Sequence, residues 1–248
     1  MSALERDRAG APGATHELRY ELPTGAAVLF TDRSHGSFAL PPGADPTAGR
    51  EQRERALGLV GARGLARGRQ VHGSVVARIA TRGPGNAQDG EGETGDGPAL
   101  EPADGQGTSL KGLAVMVVSA DCLPVAVAGE GAVAMLHCGW RGLAAGVLEE
   151  GVAAVRELTA GPGPLSAVIG PGAGPCCYEV GPEVHEAVGV ARGDAHIDLP
   201  GVARSRLRAA GVTDVHAVGR CTICDRRFYS HRREGARAGR QAGIAWLT

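Results

Sequence analysis

The sequence predicts a mixed α/β (α+β) fold, a single domain over residues 18–248, from three observations. First, Leu113–Ala120, Leu123–Ala128 and Ala132–Leu136 are apolar runs, rich in β-branched residues and bounded by turn residues. Such runs read as strands buried on both faces. Second, Leu143, Val147, Leu148, Val152 and Val155 recur at helical spacing and form one apolar stripe over Trp140–Leu158. Third, apolar residues make up 43% of the chain but aromatics only 3%. Ala, Val, Leu and Gly must therefore fill the core, which suits strands and helices in close contact.

Taken in order, residues 1–17 are polar and rich in Gly and Ala, the composition of a flexible N-terminus. Leu18–Leu22 and Ala26–Thr31 flank Pro-Thr-Gly and predict a hairpin. Asp45-Pro46 predicts a helix start, with Asp as cap and Pro in the first turn, running to about Val60. Gln70-Val71-His72-Gly73 opens a strand over Ser74–Ala80. Residues 82–108 carry Gly, Asp, Glu and Pro with almost no large apolar residue, and read as a disordered or lid-like insertion. After the three central runs and the helix, Leu165–Ile169 predicts a strand and Gly181–Val190 a short helix. Asp214–Val218 and Ile244–Leu247 read as further strands. No internal repeat is present.

The charge is close to balanced, with 26 basic and 27 acidic residues and a formal net charge of −1. That excludes the overall basic field expected of a nucleic-acid or anionic-membrane binder. No run of about 18 apolar residues suggests a membrane span. The first residues lack the apolar centre of a signal peptide. A cytoplasmic setting is therefore expected, in which the six cysteines stay reduced.

Chemically capable residues cluster at strand ends. Asp121 and Cys122 follow one strand, and His137, Cys138 and Arg141 follow another. His72, Cys122 and His137 make a competent catalytic zinc set with a fourth position left open. The bland alternative is a buried thiol beside two satisfied histidines. Cys122 with His137 would also serve as a thiol nucleophile and its base, with Asp121 to orient the histidine. Cys221-Thr-Ile-Cys224 has the spacing of a redox pair or of half a structural zinc site. Cys176-Cys177 are badly spaced to supply the other half, so buried packing is the simpler reading. Gly170–Gly181 is either a phosphate-friendly turn or a rigid one. Arg33, Arg141, Arg232 and Arg233 are candidate anion clamps, and Phe228–Arg233 joins aromatic faces to positive charge.

Five ordered motifs carry a resemblance. QVHG (70–73), SADCLPV (119–125), HCGWRGLAAGV (137–147), IGPGAGPCCYEVG (169–181) and CT…FYSHRR…GRQ (221–241) resemble the YfiH-type family. That family is known as laccase-domain proteins, formerly polyphenol oxidases, now described as purine nucleoside phosphorylases. The resemblance implies a compact domain of layered mixed sheets flanked by helices, similar to the cysteine-hydrolase domain of a bacterial toxin. It implies His72, Cys122 and His137 as ligands of zinc, or of copper under the older view. It further implies purine nucleoside and inorganic phosphate as partners, and adenosine deaminase activity beside phosphorolysis; no obligate protein partner is evident in the sequence. Arg33, Arg141 and Arg232 are the arginines expected to meet substrate or phosphate. Two departures stand out: Cys138 where the family usually has Ala, and Thr31-Asp-Arg-Ser-His-Gly where it opens T-T-R-x-G-G.

Overall fold

The computed structural model describes residues 18–39, 46–81, 101–159, 161–191 and 195–248. The expectations for residues 1–17, for the cap at Asp45 and for residues 82–100 lie outside them.

The chain forms two mixed sheets flanked by helices. The first contains β1 (Leu18–Glu21), β2 (Ala26–Phe30), β3 (Gly64–Ala66), β6 (Leu113–Ser119) and β11 (Gln241–Leu247), in the order β1-β2-β11-β6-β3. The second contains β4 (Val76–Ile79), β5 (Gly105–Thr108), β7 (Leu123–Gly129), β8 (Ala132–Cys138), β9 (Ser166–Ile169) and β10 (Asp214–Ala217), in the order β10-β9-β7-β8-β5-β4. Three pairs, β3–β6, β4–β5 and β9–β10, are parallel, and the others are antiparallel.

Every residue of β6, β7 and β8 is buried, and the strand period of two explains how. Val115 and Val117 point between the sheets, where Val28, Phe30, Ala126, Val133, Met135 and Val168 meet them. Their neighbours Ala114, Met116 and Val118 point outward beneath α1 (Pro46–Val60). In the second sheet Val125 and Val127 face α3 (Val147–Leu158) and α5 (Leu199–Ala209), while Ala126 and Ala128 face the first sheet. Two sheets between helical layers leave the central strands no wet face, so alternation of polar and apolar residues disappears.

Two expectations are corrected. The helix over Trp140–Leu158 is broken into α2 (Trp140–Ala145) and α3 at Gly146, whose φ of 90° only glycine adopts readily. Within the supposed insertion 82–108, residues 105–108 form β5, which is wholly buried between β4 and β8. Its glycines resemble loop composition, but the reason for them is space: a Cβ on Gly105 would stand 2.5 Å from Leu136 Cδ2. Among the described residues the remaining α-helices are α4 (Pro182–Val188) and α6 (His231–Glu234). No helix among the described residues is long and apolar enough to cross a membrane.

Candidate metal centre and adjoining cavity

The centre lies where the chain passes from one sheet to the other. The segment 67–75 joins β3 of the first sheet to β4 of the second and carries His72. The turn 120–122 joins β6 to β7 and carries Cys122. The register of β7 on β8, with Leu123 opposite Cys138 and Pro124 opposite His137, brings Cys122 alongside His137. One ligand atom from each of His72, Cys122 and His137 lies within 4.8 Å of the others. The two imidazoles meet edge to face with ring centroids 4.9 Å apart.

Backbone geometry marks the same place. Among the described residues only His72 (φ 61°) and Asp121 (φ 89°) are non-glycine residues with positive φ. Each such conformation costs about 1–3 kcal/mol and persists where surrounding bonds enforce it. At His72 the enforcing group is Asp104, whose carboxylate is fully buried. It accepts from the N–H groups of Val71 (3.1 Å), His72 (2.9 Å) and Gly73 (2.7 Å). It also accepts from His137 Nδ1 at 2.9 Å, which turns Nε2 toward the centre. Gln70 adds a second tether, pairing its amide with the N–H and C=O of Val118 at 2.8 and 2.7 Å.

Asp121 does not orient the histidine. Its carboxylate accepts from Thr222 Oγ1 (2.7 Å), Ser230 Oγ (3.1 Å) and the Arg232 N–H (2.7 Å). It thereby holds the 222–232 segment over the end of β6. Asp104 has the orienting role, and sequence reading missed it because it stands in the glycine-rich stretch 82–108. A signal was available in the polar residue directly before Gly105, at the mouth of a strand.

The electrostatics favour a thiolate. Burial would push the Cys122 thiol up, but the neighbouring charge and hydrogen bond of His137, with help from His72, bring it down to about 6. Burial also opposes a charged His137, yet the Cys122 thiolate and Asp104 raise it to about 9. Cys138, one residue on, is fully buried in the core beneath α3, and burial holds its thiol well above the ordinary range. It is a packing residue. Two imidazoles and one thiolate, with a buried carboxylate behind one imidazole, fit a divalent zinc-type ion with one position free.

Gly139 separates the centre from α2. A Cβ there would stand 2.7 Å from Cys122 Sγ and 3.4 Å from His72 Cδ2, so only glycine leaves the sulfur room. Beyond it, Trp140, Arg141, Tyr178, Glu179 and Arg232 line a cavity of about 530 Å³. Two guanidinium–aromatic pairs stand in its wall. The Arg141 guanidinium lies 4.3 Å from the centroid of Trp140, and that of Arg232 lies 5.2 Å from Tyr178. Arg232 is fixed further by donating to the Glu179 carbonyl at 3.0 Å.

Arg33 is not among the residues that line this cavity. Its guanidinium pairs with Glu234, donates to the Phe228 carbonyl at 3.1 Å and stacks on Tyr229 at 4.4 Å. It braces the 228–234 segment. Arg233 does likewise, through the carbonyls of Thr222, Ile223 and Phe228 and the carboxylate of Glu234.

The reading of Cys221 and Cys224 as buried packing is corrected. Cys176 and Cys224 are exposed, Cys177 and Cys221 are partly so, and all four sulfurs lie within 4.8 Å of one another. A tight turn explains why adjacency is no bar. The N–H groups of Cys177 and Tyr178 both bond to the Gly174 carbonyl, which turns both neighbouring thiols toward Cys221.

Comparison with known proteins agrees with this fold. Residues 34–248 match the model of the family described as multi-copper polyphenol oxidoreductase laccase. The chain belongs to that family, the YfiH-type laccase-domain proteins. A Xylella fastidiosa relative named purine nucleoside phosphorylase is 37% identical over 90% of this chain and 88% of its own. Among solved structures, a Neisseria meningitidis protein is 30% identical with a TM-score of 0.75, covering 94% of this chain and 99% of its own. YlmD from Geobacillus stearothermophilus is 27% identical with a TM-score of 0.77, covering 96% of this chain and 98% of that one.

Proposed function

We propose that this protein is a zinc-dependent purine nucleoside phosphorylase acting on adenosine, inosine and methylthioadenosine, with adenosine deaminase activity. The observation that carries the reading is the convergence of His72, Cys122 and His137 beside a cavity walled by two guanidinium–aromatic pairs. The names of full-length relatives support it. A flat purine suits the faces of Trp140 and Tyr178, and a phosphate dianion suits Arg141 and Arg232.

In phosphorolysis a phosphate oxygen bonds to the ribose anomeric carbon, the C–N glycosidic bond breaks, and the base leaves with a proton. Arg141 and Arg232 would neutralise the phosphate and hold it in line with that carbon, so that much of the gain comes from placement. A zinc ion at the centre would supply Lewis-acid charge for either reaction. Asp104 holds the His137 ring, and Gly139 leaves the Cys122 sulfur room that a side chain would fill.

Release of free base from each nucleoside, with and without phosphate, tests the reading. Phosphate-dependent release that disappears together with one metal equivalent in Cys122→Ala is expected. Turnover that survives in Cys122→Ala lacking that metal equivalent overturns it. The family's description favours a second reading, a copper phenol oxidase. Among the described residues, however, only two clusters of three or more His, Cys, Asp or Glu side chains occur, and one of them is all thiol. An oxidase stops under anaerobic conditions and a phosphorylase does not.

A further inference from the structure

Cys176, Cys177, Cys221 and Cys224 take no part in the centre described above. Cys176 and Cys224 stand 3.6 Å apart, sulfur to sulfur. A disulfide would hold them at about 2.05 Å. Four thiolates at about 2.3 Å from a zinc ion lie about 3.8 Å from one another, the edge of the tetrahedron. The Cys176–Cys224 pair is close to the second spacing, and all four sulfurs lie within 4.8 Å of one another.

We propose that these four cysteines hold one zinc ion in a closed, structural tetrathiolate site. On binding, four S–H protons pass to solvent and the ion takes four Zn–S bonds, leaving no position for substrate. Four soft sulfur donors select zinc over calcium or magnesium.

The surroundings are built for ligation. The Gly174 N–H donates to Cys221 Sγ at 3.3 Å, the kind of amide–sulfur bond that orients a thiolate ligand. Gly174 also keeps clear of Cys221, since a Cβ there would stand 3.1 Å from the Cys221 Cβ. Beside the cluster, Gly172 and Cys221 form an isolated parallel bridge. Its bonds run from the Gly172 N–H to the Arg220 carbonyl (3.2 Å) and from the Thr222 N–H to the Gly172 carbonyl (3.0 Å). Backbone pairing thus brings two loops together, and the thiols stand where they meet.

The consequence reaches the cavity. One loop continues into Tyr178–Gly181 and the other leads to Arg232, and both line the cavity wall. A zinc ion across them would fix the distance between the aromatic face of Tyr178 and the Arg232 guanidinium. The metal count and thiol labelling below are independent of the reaction at the first centre; only the KM readout rests on the function proposed above.

The full chain, purified without chelator, is assayed for metals. Two zinc ions per chain are expected, falling to one in Cys122→Ala and to one in the double variant C176S/C224S. The double variant should keep the metal of the first centre and show a raised KM with little change in kcat. Cobalt-loaded Cys122→Ala should show the ligand-field bands of tetrahedral tetrathiolate cobalt. Should the double variant not fold, thiol labelling of the native wild type decides. Exposed Cys176 and Cys224 should resist iodoacetamide until a chelator is added. One zinc per chain unaltered by C176S/C224S, a Cys176–Cys224 disulfide in the intact mass, iron in place of zinc, or immediate labelling would each overturn the proposal.

Discussion

Asp104 gathers four donors on one buried carboxylate: three successive backbone N–H groups and the Nδ1 of His137. Replacing it by Asn keeps the volume but removes the charge that holds the imidazole. Metal affinity at the centre should fall about 10–100-fold, read by competition with a chelating indicator. Asp104→Ala takes the acceptor away from those part-buried N–H groups and from the buried His137 Nδ1, and should cost about 1–3 kcal/mol in thermal or urea unfolding. Burial alone would raise the Asp104 carboxyl, but its bonds from His137 and the three amides hold it below the usual carboxylate range. A depressed folded-state value means that its stabilisation is fully present above about pH 4, the unfolded value. It is lost as pH falls through the lower folded one. The acid limb of the wild-type stability curve should therefore flatten in Asp104→Asn. An unchanged limb would show that the carboxylate is not stabilising.

At the scale of elements, β5 shows what sequence patterning conveys and what it conceals. Gly105 and Gly107 occupy a central strand because Leu136 and Leu158 already fill the space a side chain would need. Gly105→Ala should therefore destabilise by about 1–3 kcal/mol, through overpacking, and lower Tm by several degrees. The apolar strands β6, β7 and β8 were legible because burial on both faces writes a continuous run. The hairpin β1–β2 and the start and end of α1 were legible from turn and proline signals. β5 was not, since its reason for glycine lies in neighbours distant along the chain. The break at Gly146 was masked by an unbroken apolar stripe. α5 was passed over although Asp198 accepts from the Gly201 N–H as a cap, and Leu199, Ala203 and Leu207 bury one face. In the site, His72, Cys122 and His137 stood out at element ends, while the thiol cluster did not. Ligand-spacing rules describe single loops, and this cluster is assembled from two.

For the whole molecule, the position of the centre matters more than its ligand list. Two of its three ligands lie on connections between the sheets, so an ion there joins the two layers. An ion at a hundredfold excess over its Kd adds about 2.7 kcal/mol of apparent stability. For a chain of this size that corresponds to a Tm shift of about 5–10 °C. Chelation should produce that loss, and the part of it absent in Cys122→Ala belongs to this centre. A chelator response identical in wild type and Cys122→Ala would assign all of the effect elsewhere.

β11 forms a rung between β2 and β6, pairing Ile244 with Leu29 on one side and Met116 on the other. Those two neighbours are made long before it. During synthesis on the ribosome both would wait with open edges until residues 241–247 emerge. Such edges invite pairing with other nascent chains. Translation stalled shortly before Gln241 should thus yield a product that aggregates or recruits chaperones, whereas release of the full chain lets one late-arriving strand close the sheet.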